Sequence, residues 1–135
     1  MIDIKKNNFF FNEEVNRCLN SILKNKSFAN GYIFYGAEGV GKKQTAFEFI
    51  KEIFKQSTLS ENIEEKIINN NHPDFLIIEP SALLEAKRSK SSDLEKITNN
   101  RSEIIKISQI RNIKTFLSQK SINAGKKIVL IIDAH

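Results

Sequence analysis

The chain has 135 residues, 40% of them hydrophobic and 27% charged, with a net charge of +5. That length and composition describe an ordinary soluble globular protein of one domain. No apolar run nears the ~20 residues of a membrane span, the start Met1-Ile2-Asp3-Ile4-Lys5 lacks a signal peptide's apolar core, and the single cysteine, Cys18, excludes an internal disulfide and a cysteine-built zinc site. The expectation is a cytoplasmic protein with no membrane partner.

In chain order, Asn12 is placed to cap a first helix running to about Lys26, with Val15, Leu19, Ile22 and Leu23 on one face. Cys18 falls among them and is expected in the core, and Phe9, Phe10 and Phe11 are expected to pack beneath the helix. Asn30-Gly31 breaks the chain before a first strand at Tyr32–Tyr35. A loop with glycines at 36, 39 and 41 follows, then a helix from about Lys42 to Lys55 whose buried stripe is Ala46, Phe47, Ile50, Ile53 and Phe54.

The order strand, glycine loop, helix is that of a phosphate loop, and Gly36-Ala37-Glu38-Gly39-Val40-Gly41-Lys42-Lys43 fits the Walker A pattern up to its last position. Gly36, Gly39, Val40 and Gly41 would turn backbone N–H groups onto an anion, helped by the positive end of the helix dipole. Lys42 would reach the outer phosphates as a mobile charge. The last position needs a hydroxyl to hold Mg²⁺ and carries Lys43, whose ammonium repels a cation. The pattern predicts a loop shaped for phosphate, with ATP or ADP as candidate ligand, an impaired Mg²⁺ site and no catalytic residue. The plainer alternative is a glycine-rich turn with no ligand.

Residues 56–72 are polar, with a short helix around Ile63–Ile68. Asp74-Phe75-Leu76-Ile77-Ile78-Glu79-Pro80 reads as a second strand covered on both faces, completing a right-handed βαβ unit. His72 reads as a strand-entry residue, since no second His or Cys stands near it to make a metal site. Residues 81–103 read as a flexible insertion. Ser108 is a candidate cap for a helix to about Gln119, with Ile110, Ile113, Phe116 and Leu117 buried. Arg111, Lys114 and Lys120 line its other face, in a segment where residues 105–135 hold six Lys or Arg against one acidic residue. Contact with a DNA backbone and a merely solvated face are both open readings of that charge. Ala124-Gly125 turns the chain into a final strand, Lys127–Asp133, and the sequence is expected to stop inside the sheet with later parts missing.

Together these phrases resemble one family, the clamp-loader branch of the AAA+ ATPases, and within it the delta-prime subunits of bacterial DNA polymerase III. The resemblance rests on the loop with Lys43 at its last position, on Asn71-His72-Pro73-Asp74 before a strand ending Glu79-Pro80, and on Ile107-Ser108-Gln109-Ile110-Arg111 followed by Lys126–Ala134. It implies an α/β fold, a P-loop NTPase (AAA+) three-layer domain with a parallel sheet flanked by helices, of which residues 1–135 are the N-terminal part ending after the Walker B strand, without lid and collar domains. It implies a role in DNA replication, as a subunit of the complex that loads the sliding clamp onto primer-template DNA, with the other loader subunits, the clamp and DNA as partners. The zinc module of many relatives is expected to be absent, because residues 55–72 hold no cysteine.

At the Walker B end either Asp133 takes the Mg²⁺ position and Ala134 the base position, or Ile132 takes the first and Asp133 the second. Either alignment lacks one carboxylate, so the resemblance implies no efficient turnover of ATP within a DNA polymerase complex. The rival readings are an active P-loop ATPase or nucleotide kinase, for which the nearest hydroxyl is Thr45, two places late, and a stand-alone module binding some other anion.

Overall fold

A computed structural model describes residues 12–57, 62–80 and 105–133. The chain divides into two units, Met1–Glu64 and Glu65–His135. The helices are α1 (Glu13–Asn25), α2 (Lys42–Ser57), α3 (Ile63–Ile68) and α4 (Ile107–Ser118), and the strands are β1 (Phe75–Ile78) and β2 (Ile128–Ile131). Phe9–Phe11 and the insertion expected at 81–103 lie outside the described residues.

In the first unit, α1 starts where the sequence places it. The Asn12 Oδ1 accepts the N–H of Glu14 at 2.9 Å and of Val15 at 3.2 Å, which satisfies two of the donors a helix start leaves over. Glu13 and Glu14 in the first turn and Lys24 in the last complement the helix dipole. Lys26 ends the helix in the left-handed conformation. Leu19 and Leu23 are its buried pair. Cys18 is exposed, which corrects its expected core position. At 100° per residue it stands one step off Leu19, outside the arc that Leu19 and Leu23 share.

Helix α2 buries Ala46, Phe49, Ile50, Ile53 and Phe54; Phe49 takes the place expected for Phe47, which is half-buried. Tyr32 meets Phe49 edge-on, ring centroids 5.3 Å apart, and its hydroxyl oxygen accepts the Ala29 N–H at 2.8 Å. Lys55 reaches Glu52 at 3.1 Å and Glu64 at 2.6 Å. The Glu64 hydrogen bond leads the causes that raise the Lys55 pKa, and the same bond lowers that of Glu64. Solvent screening holds such an exposed pair to about 0.2–1 kcal/mol.

The expected first strand is not formed. Tyr32–Tyr35 pairs with no strand among the described residues, and Ile33 and Tyr35 are 89% and 90% exposed. Tyr32 and Phe34, the alternate positions, are the more covered ones, so the segment has an inward side without the ladder partner that would make it a strand.

In the second unit β1 and β2 pair in parallel, Phe75 against Ile128 through Ile78 against Ile131. The Ile128 N–H donates to the Asp74 carbonyl and the Ile132 N–H to the Ile78 carbonyl, both at 2.9 Å, extending the ladder beyond each end. The connection between parallel strands must cross over, and here it contains α4. The βαβ order is therefore carried by β1, α4 and β2, in place of the expected 32–35, α2 and β1. Phe75 and Ile78 are buried and Leu76 and Ile77 half-buried, whereas Ile131 in β2 is exposed.

Helix α4 begins two residues earlier than a Ser108 cap predicts, with Lys106 at its N-cap. The cap is made by Gln109, whose Oε1 accepts the Lys106 N–H at 2.8 Å and whose Nε2 donates to the Glu79 carbonyl at 2.8 Å. This one side chain both closes the helix start and ties it to the end of β1. No residue of α4 is fully buried: Ile113 and Phe116 are half-buried, and Ile110 and Leu117, two of the four expected core residues, are exposed.

Candidate functional site

The glycine loop belongs to the first unit. Gly39 and Gly41 have φ of 78° and 80°, a region that L side chains rarely enter. Those two reversals set the path of the loop into α2, whose first hydrogen bond runs from the Thr45 N–H to the Gly41 carbonyl at 2.9 Å. Gly36, Gly39 and Val40 are exposed, and Gly41 and Lys42 are half-buried. The Lys42 Nζ folds back over the loop and donates to the Gly36 and Ala37 carbonyls, both at 2.8 Å. One ammonium thus holds two consecutive carbonyls that would otherwise repel each other.

The fit to a nucleotide is partial. Gly36, Gly39, Val40 and Gly41 carry the loop backbone and Lys42 the cation that would hold phosphates. The residues do not fit a divalent cation: Lys43, at the position needing a hydroxyl, is exposed with its own positive charge. Thr45 is buried and its Oγ1 donates to the Gly41 carbonyl at 2.9 Å, so that hydroxyl is spent on the helix backbone. Asp133, the other expected site residue, lies in the second unit just past β2, exposed, with φ of 53°, beside the buried Ile132. Ala134 lies outside the described residues.

Among the described residues of the second unit, a heavily bonded polar group is one that the sequence offers only as part of a phrase. Asp74 is completely buried. Its carboxylate accepts from the Ser121 hydroxyl at 2.9 Å and from the N–H groups of Ile122 at 2.9 Å, Asn123 at 2.8 Å and Ala124 at 2.9 Å. Lys127 Nζ stands 3.8 Å away and 4.0 Å over the Phe116 ring. Burial alone would raise the Asp74 pKa; the N–H groups of Asn123, Ile122 and Ala124 and the Ser121 hydroxyl outweigh it and bring it to about 2. His72 is buried beside it, and its Nδ1 accepts the Asp74 N–H at 3.1 Å, which requires a neutral ring with the proton on Nε2. Burial, with Lys66 adding to it and Asp74 opposing, lowers its pKa. The strand-entry reading of His72 fits this role. The signal for Asp74 was present in the sequence, a carboxylate at the mouth of an apolar strand, but its donors lie about fifty positions later.

Arg111, Lys114 and Lys120 are all exposed. Arg111 and Lys114 share α4 with the exposed Ile107, Ile110 and Leu117, so that face is mixed rather than purely basic. Among the described residues no group of three His, Cys, Asp or Glu could hold a metal ion, and no helix is long and apolar enough to cross a membrane.

These features define a mixed helix and strand protein with a parallel strand pair, a lysine-closed glycine loop and a carboxylate-fastened strand entry. The chain belongs to the family described as DNA polymerase III, delta subunit, whose model matches residues 11–135, the family of the clamp-loader delta-prime N-terminal region. No curated protein and no solved structure matches the chain.

Proposed function

We propose that the chain is a delta-prime-type subunit of a bacterial clamp loader, built on an AAA+ nucleotide-binding domain whose site is degenerate and does not turn over ATP. Family membership across residues 11–135 supports the role in the replication clamp-loader complex. One observation carries the degenerate site: Lys43 stands where a cation-binding hydroxyl is needed, while Thr45 donates its hydroxyl to Gly41. ATP supplies a phosphoanhydride whose cleavage depends on a bound cation; this chain's loop offers backbone N–H groups and Lys42 for phosphate and repels the cation with Lys43. The partners in this reading are the other loader subunits, the sliding clamp and primer-template DNA.

Calorimetry of nucleotide binding with and without Mg²⁺, beside a Lys43→Thr variant, tests the site. The expected result is weak or no binding that Mg²⁺ does not improve, with Mg²⁺ dependence gained by the variant. Tight Mg²⁺-dependent ATP binding with hydrolysis by the unaltered chain would favour an active ATPase instead. Co-purification with loader subunits tests the assembly role separately.

A further inference from the structure

Helix α4 carries an exposed face that neither the nucleotide loop nor the Asp74 cluster uses. Ile107 is 72% exposed, Ile110 48% and Leu117 51%. With Lys114 they recur at intervals of three, four and three, which places all four along one side of the helix. Arg111 lies beside that row. The opposite side is the one the fold uses: Phe116 sits under Lys127, and Gln109 is bonded to the end of β1. The outward face is therefore an apolar row flanked by positive charge, and the described segment 105–133 holds six basic residues against Asp133 alone. Among the described residues no acidic side chain pairs with Arg111 or Lys114.

We infer that this face docks an acidic amphipathic helix of a partner protein, whose apolar stripe covers Ile107, Ile110 and Leu117 and whose carboxylates meet Arg111 and Lys114. A nucleic-acid backbone would reward the two cations and leave three branched apolar side chains in water. A second copy would set like charges against each other across the same row. An anionic membrane favours helices rich in Lys and Arg across the polar face with Trp, Phe or Leu on the other, and this face offers Arg111 and Lys114 and no aromatic in the exposed row. An acidic amphipathic helix satisfies both parts of the face at once. The inference stands apart from the nucleotide-site reading and does not require it.

The test uses the full chain and a synthetic helical peptide with leucines spaced three and four apart and flanked by glutamates, measured by fluorescence anisotropy. Parallel arms use a scrambled peptide of the same composition, a lysine-flanked version, duplex DNA, and vesicles of anionic lipid. Saturable binding of the acidic amphipathic peptide is expected, weakened about tenfold by scrambling and about tenfold by Ile110→Ser or Leu117→Ser. Arg111→Gln with Lys114→Gln should weaken it too and flatten its salt dependence. All these positions are exposed, so circular dichroism and melting should match the unaltered chain. Equal binding of the scrambled peptide, no binding of the ordered one, or tighter binding of DNA or vesicles that Ile110→Ser and Leu117→Ser leave unchanged would overturn the inference.

Discussion

The carboxylate of Asp74 accepts the N–H of Ala124 at 2.9 Å across fifty positions of chain. Ser121, Ile122 and Asn123 donate to the same side chain. One residue thereby fastens the turn before β2 to the residue preceding β1, and the Ile128 N–H bonds to the backbone carbonyl of that same aspartate. The parallel pair is aligned by a side chain before its own ladder begins.

Asp74→Asn should be the most damaging conservative change in the second unit. The amide keeps one acceptor oxygen, loses the charge, and turns an NH₂ toward groups that are all donors. Breaking a buried charged cluster of this kind costs about 3 kcal/mol. Urea denaturation of the full chain measures it, and a loss below about 0.5 kcal/mol, the range of neutral surface changes, would remove Asp74 from this role.

Acid should weaken the fold in two steps. The His72 pKa is lowered from its usual 6.5, so the unfolded state takes up a proton first and stability falls as pH drops below about 6.5. The Asp74 pKa is lowered from 3.8 to about 2. Its contribution is fully present above its unfolded value and is lost as pH falls from about 4 toward 2, about 2 kcal/mol in all. Urea midpoints followed from pH 8 to pH 2 should show both steps, and His72→Gln should flatten the first while leaving the second. A first step of full size in His72→Gln would assign it to another group.

Helices α1, α2 and α3 were legible because local rules settle them: Asn12 caps, Leu19 and Leu23 repeat at four, and α2 has five apolar residues in phase. The β1 and β2 runs were legible as strands from their apolar content. The pairing of β1 with β2 through α4, and the Asp74 cluster, depend on contacts tens of residues apart that no local pattern encodes. Tyr32–Tyr35 and the outer face of α4 were misread for one reason: apolar spacing reports what a segment could bury, and Ile33, Ile110 and Leu117 meet no covering element among the described residues. Of the candidate site, the glycine turn into α2 was legible by motif, while the attachment of Lys42 to the loop's own carbonyls was not.

Core truncation should separate covered from uncovered apolar positions on neighbouring elements. Phe54 is fully buried on α2, and Phe54→Ala should cost about 3–5 kcal/mol. Val15 is exposed on α1, and Val15→Ala should stay within about 0.5 kcal/mol. Thermal or urea unfolding of the two variants gives both numbers, and similar costs would mean that burial does not rank these residues.

Lys42 makes a sharper case, because its bonds within the loop can be told apart from the phosphate contact proposed for it. Its ammonium donates to Gly36 and Ala37 at 2.8 Å, so the side chain ties the loop through the loop's own carbonyls. Lys42→Met keeps most of the stem and removes the donor. The loop stands exposed from Gly36 to Val40, so global stability should change by no more than about 0.5 kcal/mol. Locally the two carbonyls lose their shared cation, and the turns at Gly39 and Gly41, held at positive φ, lose the tie that spans them. Amide hydrogen exchange across residues 36–41 should accelerate severalfold while the amides of α2 from Ala46 onward keep their rates. Unchanged exchange in the loop would mean the glycines hold its shape unaided and would remove Lys42 from that part. Faster exchange throughout α2 would instead make the lysine part of the helix's own stability.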